Sequence, residues 1–266
     1  MDKCRLCRQE QTLRLSHITP KMFFNQIKKT SPTKRFRNNM NPNRAVQDGE
    51  KHFFLCQECE EKFSRFETLF SSLYSKITES SGCCPVETDS DGIRYFLLSV
   101  AWRNLRVIQE RGISDLTEQE CEKIENTLEF WREILYKEDM KKISSVKQYV
   151  IPTAKLAYFE QFPRRVFDCV CPDFHVYGNV NSFKEAFIVV QVPYLIFVTM
   201  TWGELSDMSA FQVGNVIQAE NTELSEELVW QLDEIHKEQF NKANEKISDR
   251  QKEEILKRAL SVLNKE

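Results

Sequence analysis

The sequence predicts an α+β protein: a small cysteine-bound metal module at the N-terminus, then a helical stretch and a mixed α/β region. Three observations carry that expectation. Two C-x-x-C pairs, Cys4/Cys7 and Cys56/Cys59, stand far apart in the first quarter of the chain. Apolar residues recur at helical spacing from about 92 to 145. From 150 to 219, β-branched and aromatic residues dominate and are punctuated by Pro and Gly.

The bulk properties bound the answer. A chain of 266 residues holds one large domain or two modest ones. With 41% hydrophobic and 29% charged residues it has the composition of a globular protein. A net charge of -3 excludes a globally basic nucleic-acid coat but leaves room for a local basic patch. No apolar run precedes Cys4, so no signal peptide is expected. Nine cysteines, an odd number with four in C-x-x-C pairs, fit metal-bound thiolates in a reducing, cytoplasmic setting better than a disulfide framework.

Three stretches follow from composition. Residues 1–77 hold the cysteine pairs, a basic middle and an aromatic-rich helix. Residues 78–91, within "ESSGCCPVETDSDG", read as a linker or surface loop in which Cys83 and Cys84 are a free, modestly exposed pair. Residues 92–266 read as an α+β accessory or regulatory region.

Within that last stretch, "IRYFLLSVAWRNLRVIQERG" places Phe96, Val100 and Val107 on one stripe and ends at Gly112 as a C-cap. In the next helix Thr117 and Glu120 form a capping-box signature ahead of Ile124, Leu128, Trp131 and Leu135, with Cys121 as a small apolar packer. Cys169 and Cys171 alternate along a strand, and alternation alone accounts for His175. Trp202-Gly203 reads as a strand-end turn, and Arg164 and Arg165 beside Pro163 as a surface turn. The apolar run "AFIVVQVPYLIFVTMTW" carries Gln191 and Pro193, so it reads as two adjacent buried strands broken near Pro193, not a membrane span. From Thr222 onward, Leu228, Leu232 and Ile235, then Ile255, Leu256, Leu260 and Leu263, predict two amphipathic helices, with His236 on the surface.

Four thiolates in two knuckles complete a tetrahedral Zn²⁺ site and leave no position open for water, which makes the site structural. The loop this site closes contains no acidic residue between Glu10 and Asp48. It does contain Arg14, Lys21, Lys28, Lys29, Lys34, Arg35, Arg37 and Arg44. Such a block beside a metal-fixed scaffold is a footprint for a phosphate backbone; the bland alternative is a solvated loop neutralised from elsewhere. Asn38, Asn39, Asn41 and Asn43, with Pro42, predict an irregular far end.

His17, in "LRLSHITP", follows a short predicted strand and precedes Pro20, which opens a predicted helix through "KMFFNQI". Four cysteines already saturate zinc, so its imidazole is free for other work. Near a helix start and a basic patch, neutral imidazole is favoured, which is the form a general base needs to activate water against a phosphodiester. A Mg²⁺ or Mn²⁺ ion would neutralise the developing charge. Glu60, Glu61 and Glu67 are the nearby carboxylates, with Glu60 and Glu67 on one helix face; the plain alternative is a solvated helix surface.

The layout C-x-x-C, then "SH-x-x-P", then "LC-x-x-CE" resembles the HNH endonuclease superfamily with its ββα-metal, treble-clef zinc finger, including bacterial effectors of anti-phage defence. The resemblance covers roughly the first 70 residues. It implies His17 as general base, with Ser16 where that pattern usually carries a metal-binding acid and Glu60 where it usually carries a histidine ligand. The pattern's middle asparagine has Asn39, Asn41, Asn43 and His52 as stand-ins. It further implies DNA, with RNA possible, as substrate and a separate NTP-binding sensor as partner; the size and mixed-charge helices of the remaining chain permit a homodimer or a dock for a second protein. Two other readings stay open: a non-enzymatic zinc module that binds nucleic acid or protein, and a finger that only staples a fold whose function lies C-terminal to it.

Overall fold

A computed structural model describes residues 2–31, 33–38, 41–114, 116–156, 169–179, 182–205, 207–220 and 223–263. Asn39, Thr222 and the Pro163–Arg165 turn lie outside these residues. Strands β1 (Asp2–Lys3) and β2 (Glu10–Gln11) bracket the first cysteine pair. Next come β3 (Leu13–His17) and helix α1 (Lys21–Thr30), which starts directly after Pro20. The ribbon β4 (Phe36–Asn38) and β5 (Asn41–Val46) precedes β6 (Lys51–Cys56) and the long helix α2 (Gln57–Glu79). β3 pairs antiparallel with β6 across the intervening α1 and β4–β5, so the two cysteine pairs meet at one end of this two-stranded ladder and His17 lies at the other.

The 78–91 stretch contains β7 (Val86–Glu87) and Ser90, the N-cap of α3 (Asp91–Arg111). α3 ends at Gly112, whose φ of 88° is the left-handed region that glycine enters without a Cβ penalty. Helix α4 (Glu118–Lys137) opens on the expected capping box of Thr117 and Glu120. That box turns Glu120 inward to 3% exposure, and its neighbour Cys121 consequently faces solvent instead of packing. A short α5 (Met140–Ile143) leads into β8 (Gln148–Pro152), β9 (Cys171–Asn179), β10 (Ser182–Val192) and β11 (Leu195–Trp202). β12 (Val216–Ile217) pairs with β7, and helices α6 (Glu226–Lys246) and α7 (Asp249–Leu263) close the chain.

The main sheet is antiparallel, in the order β8-β11-β10-β9. β10 and β11 form the expected hairpin, with Val192 opposite Leu195 and a two-residue Pro193-Tyr194 turn. Proline presets the first turn position and Tyr194 takes φ 70° at the second. Phe197 on one face meets Phe96 of α3 at 6.5 Å between ring centroids, while Gln191 on the other accepts a hydrogen bond from His236 of α6 at 2.6 Å. Helices therefore cover both faces, which is why these strands read as an unbroken apolar run and not as an alternation. No helix among the described residues is long and apolar enough to cross a membrane.

His236 lies eight residues past Leu228 and four past Leu232, on the buried stripe of α6, and is 3% exposed rather than on the surface. The second predicted stripe is present on α7, but Leu256 and Leu260 point outward at 61% and 51% exposure.

One buried core runs from the N-terminal module into the sheet. In α2, Phe63, Phe66, Phe70 and Tyr74 recur at helical spacing and face α3. Phe66 stacks on Tyr95 at 3.9 Å and Phe70 on Phe96 at 4.0 Å, and Phe23 of α1 closes the cluster at 5.8 Å from Phe197. Each such pair contributes about 0.5–1.5 kcal/mol beyond its buried area.

Candidate functional site

The sulfurs of Cys4, Cys7, Cys56 and Cys59 all lie within 4.8 Å of one another. Zn–S bonds of about 2.3 Å in a tetrahedron space the sulfurs about 3.8 Å apart, and Cys7 Sγ stands 3.9 Å from Cys56 Sγ. The first pair sits on a tight turn in which the Arg8 amide donates to the Cys4 carbonyl at 2.9 Å and Arg8 adopts φ 62°. The second pair sits at the start of α2, with Cys56 as its N-cap, where the helix dipole favours thiolate. Cys4 is held down at about 4, first by the hydrogen bond from Cys59, and that same bond raises Cys59. One thiolate forms readily and then opposes the next; a divalent cation removes that opposition. The four cysteines thus fit a structural metal ion such as zinc.

The rest of the fold braces this centre. The Arg5 amide donates to the Phe54 carbonyl at 3.1 Å, and the Cys56 amide to Cys4 Sγ at 3.3 Å. Arg5 pairs with Glu110 of α3 at 2.9 Å, Arg8 pairs with Glu129 of α4, and Arg132 donates to the Leu6 carbonyl at 2.8 Å.

His17 ends β3. Its Nε2 lies 2.7 Å from Asp48 Oδ1, and Lys51 pairs with the same carboxylate. Burial pushes the Asp48 carboxyl up, but the hydrogen bonds from Lys51 and His17 outweigh it and hold the group far below the usual carboxylate range. Asp48 is therefore ionised and fixes the ring. With Nε2 donating to it, Nδ1 is the nitrogen left to take a proton. The strand end is equally fixed: buried Arg103 donates to the His17 carbonyl at 3.1 Å and pairs with Glu67 at 2.9 Å. Beside it Thr19 donates to Asn104 at 3.0 Å.

The other expected site residues fall as follows. Ser16 is 3% exposed and its hydroxyl donates back to the Arg14 carbonyl at 3.3 Å. Glu60 is half-buried in the first turn of α2, and its Oε1 is buried without a hydrogen-bond partner. Among the described residues Glu60 and His17 share no hydrogen bond. Through Arg103, His17 sits level with Glu67; Glu60 stands seven residues nearer the cysteines, about 10 Å of helix rise. Glu61 is bonded by Gln57, and His52 pairs with Glu50 at 2.5 Å. Among the described residues the four cysteines are the one group of three or more His, Cys, Asp or Glu ligand atoms that converges. Asp48 was missed from the sequence, where its only signal is that it ends the acid-free stretch.

The basic block is partly engaged in backbone contacts. Lys28 donates to the Gln47 carbonyl at 3.2 Å and Lys34 to the Lys29 carbonyl at 3.3 Å. Arg37 donates to the Pro42 carbonyl at 2.6 Å and is lowered by burial and by nearby Arg258. Arg14, Lys21, Lys29 and Arg35 are exposed. Among the described residues, none of Arg14, Lys21, Lys28, Lys29, Lys34, Arg35 and Arg37 forms a salt bridge, although most other surface arginines near the finger do.

Comparison with protein-family models, with characterised proteins and with solved structures finds no match for this chain.

Proposed function

We propose that the N-terminal finger is an HNH-like, treble-clef nuclease module that hydrolyses phosphodiester bonds in DNA or RNA. The observation that carries the reading is the His17–Asp48 pair at one end of the β3–β6 strand pair, whose other end is clasped by four cysteines. An ionised carboxylate on one ring nitrogen orients the imidazole and stabilises the cation formed when the other nitrogen takes a proton from water. Arg103 holds the His17 backbone, so the ring is mounted on a rigid element. The cations of the 14–37 stretch, which form no salt bridge among the described residues, supply the grip on the phosphate backbone.

A hard divalent ion in such a reaction neutralises charge on the phosphate and the leaving oxygen. Glu60 has the oxygen chemistry for a ligand and an orphaned buried oxygen, but it stands about 10 Å of helix rise nearer the cysteines than the level of His17, so it would serve such an ion only if the start of α2 moved toward the imidazole; Mg²⁺ needs only one or two carboxylates besides phosphate and water. Ser16 does not fit, since its hydroxyl is turned to its own strand. That feature favours a second reading, a non-catalytic zinc finger that binds nucleic acid.

Plasmid and RNA cleavage in Mg²⁺ or Mn²⁺ separates the two. His17→Ala is expected to lower the cleavage rate by about 100-fold or more while oligonucleotide binding and zinc content persist. Cleavage undiminished by His17→Ala, or absent from the unaltered chain with both ions, would sink the nuclease reading and leave the binder.

A further inference from the structure

Two rungs of the β3–β6 ladder lie next to each other on one face. One is His17 opposite Lys51; the other, two residues along each strand, is Leu15 opposite Phe53. Residues i and i+2 on a strand share a face, so Leu15 stands beside His17 and Phe53 beside Lys51. Both apolar side chains face out, Leu15 at 53% and Phe53 at 66% exposure. The cause is a bulge: the register slips between Arg14 and Leu15 and leaves Phe54 without a partner on β3. Arg14 and Leu15 are consequently both exposed, while Phe54, Leu55 and Cys56 are all buried. An outward phenylalanine beside the Asp48-bonded imidazole costs solubility, which makes this rung a surface built to be covered.

We propose that the Leu15–Phe53 rung is a stacking platform for an unpaired nucleobase, so that the module acts on single-stranded or splayed nucleic acid. The inference rests on the phosphodiesterase reading and adds its substrate class. Every base offers a π-face to an aromatic ring, but in a duplex both faces are already stacked. A base on Phe53 and Leu15 places its neighbouring phosphate one rung away, at His17 and Lys51. Charge favours this occupant: Asp48 is spent on His17 and Lys51, whereas exposed Arg14 has no carboxylate among the described residues.

Binding is to be measured with the full-length, zinc-loaded chain carrying His17→Ala, so that nothing is cut. The probes are a single-stranded oligonucleotide containing 2-aminopurine and its blunt duplex. The single strand should bind more tightly, with its 2-aminopurine fluorescence quenched by stacking. Phe53→Ala, a change at an exposed position, should weaken single-strand binding about tenfold and relieve the quenching, and Phe53→Trp should restore both. If the strand still binds and Phe53→Ala shifts its affinity less than twofold, the platform is overturned and the nuclease reading survives. If Phe53→Ala instead converts a dimer to a monomer in sedimentation, a second copy covers the rung and the platform is again overturned. A chain that binds neither probe overturns both inferences.

Discussion

Asp48 is held where it is by its neighbour. A Cβ placed on Gly49 would lie 2.1 Å from Phe24 Cε2, and Phe24 is itself stacked on Phe36 at 5.2 Å. Gly49→Ala must therefore displace either that aromatic pair or the turn that carries Asp48. Overpacking of this kind costs about 1–3 kcal/mol, expected as a lowered urea midpoint together with a drop in any cleavage activity. Asp48→Asn should lower activity while leaving the midpoint closer to that of the unaltered chain. Equal midpoints for Gly49→Ala and the parent would show that the turn yields freely. His17 drew attention in the sequence because the residues around it form the short string "SH-x-x-P". Asp48 did not, because it reaches the ring through strand pairing: His17 sits opposite Lys51, three residues beyond Asp48, and register is not written in spacing.

At the scale of single elements, α6 docks on the sheet through a histidine that titrates. Burial pushes His236 down to about 4, against a small opposing pull from Asp233. Between that value and the ordinary histidine pKa of about 6.5, the unfolded chain binds a proton the folded chain refuses. Stability from this group is thus fully present above about pH 6.5 and is lost as pH falls toward 4. His236→Gln, which keeps a polar partner for Gln191, should flatten the dependence of the urea midpoint on pH across that window. His175, also pushed down by burial, leaves a residual slope. An unchanged pH profile would mean that α6 undocks before the chain unfolds. Elements with local punctuation were readable in advance: the Thr117–Glu120 box and the Gly112 stop of helices, and the Pro193 break between two strands, all act within a few residues. The inward turn of His236 was readable too, at i+4 from Leu232, but a polar side chain on an apolar stripe was given to the surface by default.

For the whole molecule, the cysteine centre links elements that are otherwise small. Binding energy at a structural zinc is folding energy, on the order of 10 kcal/mol in isolated fingers, and here part of it is already supplied by the brace onto α3 and α4. Purified chain should carry one zinc by elemental analysis. Cys59→Ser or a strong chelator should lower the thermal midpoint and release the metal without unfolding the main sheet, so that near-UV signals from Trp131 and Trp202 survive. Loss of all tertiary signal on chelation would assign the centre a larger share of the fold. That sharing was invisible in composition, because residues 78–91 look like a joint while the aromatic rings on either side interlock.

The ring cluster of Phe23, Phe70, Phe96 and Phe197 draws one residue each from α1, α2, α3 and β11. Cutting the chain after residue 77 would strip two of the four away and wet the remainder. Anyone wishing to transplant the finger onto another scaffold would need to carry α3 along as its floor, or else redesign the underside of α2 for water.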